Sequence, residues 1–275
     1  MSRTRLLIPA LALVLVAARK ADDPKHENHF RTDGSVPSAT GVSLSLTNAE
    51  AQQDFVAVDG KLANTGANTI LVLKKGEASF VLPQGTFSTK AGGLFGSTVW
   101  VPPGESRSIG FKAEGSGFHV DQFTLKPGGI YQASNTGTAV KAPDFALPAS
   151  VNDFTAGPYS CHLDGLKKET DETSAKFACT YNGSGVGIIE PRRIGLKTES
   201  GKEYANEAKK NGRELLLSGE TAKFAAVFHV TEVDMQFAPL TVLFRDALTE
   251  SALTAVALPD WKFVLDPEAT AKAND

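Results

Sequence analysis

A chain of 275 residues, 41% hydrophobic and 21% charged, has an ordinary globular composition and room for two domains of about 100–130 residues each. Its formal net charge of −3 leaves no basic surplus for a nucleic-acid backbone or an anionic membrane surface, so neither is expected as a partner.

Residues 1–18, MSRTRLLIPALALVLVAA, read as a signal peptide. Arg3 and Arg5 give a positive start, Leu6 to Ala18 is apolar, and Val16-Ala17-Ala18 offers small residues to a signal peptidase. The run is too short for a comfortable span, which takes about 20 apolar residues. No cysteine follows it in Ala18-Arg19-Lys20-Ala21, so no lipid anchor is expected. With no other long apolar run, the mature protein is expected to be periplasmic or secreted, without membrane insertion. Removing Arg3 and Arg5 takes Lys and Arg from 28 to 26 against 31 Asp and Glu, a net charge of −5.

Residues 19–40 are expected to be a flexible linker. His26 and His29, with Asp22, Asp23 and Glu27, carry donors for a divalent metal. Ordering a mobile, Pro-containing leader around an ion costs much entropy. The stretch therefore reads as solvated, and neither a metal site nor a cofactor is assigned.

Residues 41–148 follow as a first β domain. GVSLSL (41–46), FVAVDGKL (55–62), TILVL (69–73), ASFVL (78–82), STVWV (97–101) and SIGFKA (108–113) are short, alternating and rich in β-branched residues. TKAGGLFGSTVWVPPG (89–104) sets Leu94 and Phe95 among glycines, with Trp100 close behind. Apolar side chains on such a tip are placed to meet a partner, or to fold back and plug the end of a sandwich. AEGSGFHVDQF (113–123), with Phe118, reads as a second loop of this kind. Leu94, Phe95, Trp100 and Phe118 are the candidate partner-binding residues.

Residues 149–267 are expected as a second β domain, and 268–275 as a disordered tail. Its strands are KFACTY (176–181), RIGLKT (193–198), ELLL (214–217), KFAAVFHV (223–230), LTVLFRD (240–246) and WKFVL (261–265). Cys161 and Cys179 are the only cysteines. Their separation suits neither a redox Cys-x-x-Cys nor a close metal pair. In an exported protein it predicts one disulfide between neighbouring strands joined by a solvated loop. His162 and Asp164 share a parity and are placed to hydrogen-bond. Strand alternation points His229 away from Glu232 and Asp234.

The two halves repeat a plan. LANTG (62–66) ends a strand, and Gly104-Glu105-Ser106 opens another well downstream; YNGSG (181–185) and Gly219-Glu220-Thr221 do the same. A strand ending in Asn-x-Gly, an excursion, then Pro-x-Gly-Glu before an alternating strand resembles the immunoglobulin-like domains of exported bacterial proteins of unknown function. Relatives of that architecture include bacterial proteinase-inhibitor domains. The resemblance covers about residues 41–265, though Pro103 has no counterpart at Ser218. It implies an all-β fold of two tandem immunoglobulin-like antiparallel β-sandwich domains, with no catalytic residues to carry over.

The chain has no Gly-x-Ser-x-Gly elbow, no phosphate-binding Gly-rich loop before a helix, and no His-Glu-x-x-His helix. The expectation is an exported, non-catalytic binding or assembly module with a protein partner. The alternatives are a metal or small-ligand carrier and a proteinase inhibitor.

Overall fold

The computed structural model describes residues 26–32, 41–92, 97–231 and 233–275. The expected signal peptide lies outside them. The chain is all-β, built from antiparallel sheets, and divides into two compact units, residues up to 132 together with 255–275, and residues 133–254.

In the first unit an eight-stranded sheet runs in the order Gly85–Ser88, Ser79–Leu82, Gln122–Lys126, Trp261–Leu265, Asn28–Thr32, Val42–Ala51, Phe55–Asn64, Ser106–Glu114. Its outer strands come back together where Lys90 N–H donates to Lys112 O (2.8 Å), so the sheet nearly closes into a barrel. A smaller sheet runs Thr254–Ala255, Ile130–Ser134, Thr69–Lys74, Thr98–Val101. Period-2 alternation supplies the core: Val56, Val58 and Leu62 point inward from one strand, and Ile109, Phe111 and Ala113 from the next. Phe123 sits at its centre, stacked on Phe263 at 4.7 Å and edge-on to Phe30 at 4.8 Å and to Phe80 at 5.6 Å. Each such pair adds about 0.5–1.5 kcal/mol beyond the area it buries.

The register between Val42–Ala51 and Phe55–Asn64 slips between Thr47 and Ala49, where Asn48 takes φ 42°. A bulge inserts one residue and so exchanges the faces of everything beyond it. Val42 and Leu44 are buried before it, Ala49 and Ala51 after it. Glu50 is thereby turned away from the core.

The second unit has three four-stranded sheets. They run Asp153–Ala156, Tyr159–Lys168, Glu172–Tyr181, Thr221–His229; Phe145–Leu147, Leu240–Leu243, Gly195–Thr198, Glu203–Ala205; and Thr138–Ala139, Leu248–Ser251, Val186–Ile189, Glu214–Leu216. Thr173, Ala175, Phe177, Cys179 and Tyr181 point inward from one long strand, and Ala222, Phe224, Ala226 and Phe228 from its neighbour.

The internal repeat is present in the pairing. Val42–Ala51, Phe55–Asn64 and Ser106–Glu114 form the same three-stranded run as Tyr159–Lys168, Glu172–Tyr181 and Thr221–His229, each with a bulge in its first strand. The turns match bond for bond. Asn64 N–H donates to Glu105 O and Gly104 N–H to Asn64 O; Tyr181 N–H donates to Glu220 O and Gly219 N–H to Tyr181 O. Gly104 and Gly219 both need positive φ, 72° and 82°, which glycine supplies without steric cost.

Four expectations change. Residues 133–148, expected in the first domain, lie in the second unit, where Thr138–Ala139 pairs with Leu248–Ser251 and Phe145–Leu147 with Leu240–Leu243. Within 19–40, residues 28–32 form a strand rather than a flexible linker, because Asn28–Thr32 pairs on both sides. Trp261–Leu265, expected as the last strand of the second domain, pairs instead with Asn28–Thr32 and Gln122–Lys126. Residues 268–275 are not a disordered tail: Pro267–Ala273 is helical. Asp266 caps it, accepting from the N–H groups of Glu268 and Ala269, with Pro267 in the first turn.

Candidate functional site

Among the described residues the strand Thr98–Val101 ends its sheet and pairs on one side with Thr69–Lys74, Trp100 opposite Val72 and Val99 opposite Leu73. Lys75 N–H donates to Ser97 O (2.8 Å). Antiparallel ladders alternate between pairs that exchange hydrogen bonds and pairs that do not. From Ser97 this alternation turns the N–H and C=O of Thr98 and Trp100 away from the sheet. Trp100 itself is half-buried. The base of the strand is fixed by Asn64, only 1% exposed, whose Nδ2 donates to Thr69 O (2.7 Å) and Val101 O (3.0 Å). Its Oδ1 accepts from Gly66 N–H (3.0 Å).

Leu94 and Phe95 lie outside the described residues. Phe118 requires a correction. It is fully buried, edge-on to Phe87 at 4.7 Å, with Gly115 directly against its ring. A Cβ at position 115 would come within 2.6 Å of that ring, so Gly115 admits the ring to the core.

Cys161 and Cys179 form the expected disulfide, on strands that pair Cys161 directly with Cys179. The residues between them continue both strands as a hairpin turning near Glu169–Glu172, in place of the expected loop. Next to the bridge, Tyr159 O–H donates to Thr249 O (2.5 Å) and its oxygen accepts from Ile188 N–H (2.7 Å). Tyr181 O–H donates to Glu250 Oε1 (2.5 Å). Burial is the main cause that raises both phenol pKa values well above the ordinary range.

The remaining polar candidates separate. His162 donates from Nδ1 to Asp153 Oδ1 (2.8 Å) instead of meeting Asp164, since the bulge between Leu163 and Gly165 changes the face there. Asp164 lies 3.5 Å from Lys223. His229 lies 3.6 Å from Glu172, which stands opposite it; Glu232 is outside the described residues. Asp234 Oδ1 accepts from Gln236 N–H. Asp22 and Asp23 are also outside the described residues, while His26 packs edge-on against His119 at 5.7 Å. His29 meets Glu27 and Glu50, the three offering ligand atoms within 4.8 Å of one another. Glu50 was not legible as part of this group, because only the pairing of His29 with Glu50 brings it there.

In the second unit an open groove of about 510 Å³ is lined by Arg192, Arg193, Tyr204, Glu203, Arg245 and Asp246. Its guanidinium groups are already matched, Arg192 and Arg193 with Glu190 and Arg245 with Glu203.

No family model and no curated protein matches the chain. Among solved structures it is similar to the YadV chaperone, at 10% identity over 78% of this chain and 100% of that one, with a TM-score of 0.22. It is also similar to red sea bream transglutaminase, at 12% identity over 80% of this chain and 31% of that one, with a TM-score of 0.19. Overlaps this loose bear on neither fold family nor activity.

Proposed function

We propose that the chain is an exported, non-catalytic binding or assembly module of two immunoglobulin-like β-sandwich units. It takes a protein partner by strand addition along Thr98–Val101. The observation behind this reading is the terminal position of that strand, with the backbone groups of Thr98 and Trp100 turned outward beside a half-exposed indole. An added strand satisfies such groups through main-chain hydrogen bonds, and an aromatic ring next to it supplies specificity. Leu94 and Phe95, in the glycine-rich segment leading into the strand, would extend the contact. The Cys161–Cys179 disulfide supports export, since such bridges persist in oxidising compartments.

The test is affinity capture by residues 19–275 from envelope and secreted extracts of the host, comparing the native chain with Thr98→Pro. Proline removes an outward N–H without touching the ladder to Thr69–Lys74. A protein enriched by the native chain and lost with Thr98→Pro supports the reading. Enrichment that survives Thr98→Pro but is lost in a Leu94→Ser, Phe95→Ser double variant moves the contact to the loop and rejects strand addition. A stoichiometric small molecule without any protein rejects the module reading altogether.

A further inference from the structure

Glu27, His29 and Glu50 are brought together by three separate features of the fold. Strand alternation sets Glu27 and His29 on one face of the N-terminal segment. Antiparallel register sets Glu50 directly opposite His29. The bulge at Asn48 then turns Glu50 outward while Ala49 and Ala51 remain in the core. Without that inserted residue the glutamate would occupy the core face.

The group is held before any ligand arrives. Gln52 Nε2 donates to Glu27 Oε1 (2.6 Å), fixing that carboxylate. Glu27 N–H donates to Asn274 Oδ1 (3.0 Å) and Asn274 Nδ2 donates to Glu27 O (2.8 Å). His29 N–H donates to Thr270 Oγ1 (2.9 Å). These bonds tie the segment to the C-terminal helix, so the entropy cost that argues against metal binding by a mobile leader does not apply to Glu27 and His29.

Among the described residues His29 Nε2 is buried and makes no hydrogen bond, and it lies 3.5 Å from Glu27 Oε2. A buried imidazole nitrogen without a hydrogen bond, facing two carboxylates that repel each other, is a set of donors that a cation would satisfy at once. One imidazole and two carboxylates suit a borderline divalent ion: softer ions prefer sulfur, and Ca²⁺ and Mg²⁺ prefer oxygen alone.

We propose that Glu27, His29 and Glu50 form a site for a divalent transition-metal ion of the zinc type, with water completing its coordination. Gln52 is a positioning residue, orienting Glu27 through its hydrogen bond. The bound ion cross-links the strand Asn28–Thr32 to Val42–Ala51 and so fastens the N-terminal segment. The site is independent of strand addition at Thr98–Val101, and either can fail without the other.

The test uses the untagged mature chain, residues 19–275, stripped with a chelator and titrated with Zn²⁺ by calorimetry, with hydrogen exchange followed over residues 26–32. One equivalent of Zn²⁺ binds, and exchange in 26–32 slows. His29→Ala and Glu50→Gln abolish both effects, Gln52→Ala weakens binding about tenfold, and His26→Ala leaves binding unchanged. Thermal unfolding of the metal-free Glu50→Gln chain establishes that this variant folds. Absence of a stoichiometric site, or Zn²⁺ binding that survives both His29→Ala and Glu50→Gln, overturns the proposal.

Discussion

Cys161 and Cys179 face each other across the paired strands Tyr159–Lys168 and Glu172–Tyr181, their Cα atoms 4.1 Å apart. Both are buried, and Tyr159 and Tyr181, two residues away on the same faces, pack ring against ring at 5.3 Å. The bridge is thus part of the core of the second unit. A covalent link across this hairpin restricts the unfolded chain and stabilises the fold by about 3 kcal/mol. The double variant Cys161→Ser, Cys179→Ser should lose about that much in urea unfolding, and reductant should change the native protein but not the variant. Equal midpoints with and without the bridge would remove the staple.

Alkaline pH should unfold the protein through the two tyrosines. Their folded pKa values are raised, chiefly by burial, so the folded state keeps its phenolic protons when the unfolded chain has lost them. The stabilisation is complete below the unfolded phenol pKa near 10 and declines as pH rises above it, by about 1.4 kcal/mol per unit for each tyrosine. Tyr159→Phe should reduce that slope while lowering stability at neutral pH by about 1–3 kcal/mol, since Ile188 N–H loses its acceptor. Urea midpoints between pH 8 and pH 11, in roughly half-unit steps, would measure both effects. A slope unchanged by Tyr159→Phe would contradict the assignment.

Phe118→Ala should cost about 3–5 kcal/mol, the usual loss for emptying a fully buried aromatic site. Urea unfolding of the variant against the native chain measures that loss. A loss under about 0.5 kcal/mol, typical of an exposed site, would return Phe118 to the surface.

Asn206 does for the second unit what Asn64 does for the first. Its Nδ2 donates to Pro191 O (2.9 Å) and Ala225 O (3.2 Å), and its Oδ1 accepts from the N–H groups of Ala208 and Val227, both at 2.9 Å. Asn206→Ala removes all four bonds at a position only 7% exposed, and should destabilise by at least about 2 kcal/mol. Denaturant unfolding checks this directly; a loss under about 0.5 kcal/mol, typical of a surface site, would show that water replaces the side chain at no cost.

How much of this is legible in the sequence depends on how local each feature is. Period-2 runs such as KFACTY and SIGFKA announce their strands, and the Gly-Glu-Ser and Gly-Glu-Thr turns announce the repeat, because both are set by neighbouring residues. Asp266-Pro267-Glu268 is likewise a readable helix start, and the polar composition of the last residues hides it. The bulges at Asn48 and Asp164 are not announced: nothing in TNA or LDG distinguishes an inserted residue from a continuing strand until the partner strand is in place. Those two slips decide which partner His162 meets and where Glu50 points. The pairing of Trp261–Leu265 with Asn28–Thr32 joins opposite ends of the chain, and no local pattern encodes it. For Phe118, a run of glycines reads as an exposed tip, whereas here the missing Cβ at Gly115 makes room for a ring to turn inward.

The insertion of Trp261–Leu265 between Gln122–Lys126 and Asn28–Thr32 also bears on the order of events in synthesis. Residues 133–254 contain every strand their own three sheets require, so they can close as soon as they have emerged. The first unit, although it begins earlier, lacks an internal strand of its main sheet until nearly the last residues arrive. Until then Gln122–Lys126 and Asn28–Thr32 lack the strand that pairs with both of them. A chain truncated before residue 261 would leave those two edges without their shared partner, the kind of unpaired edge on which chains aggregate.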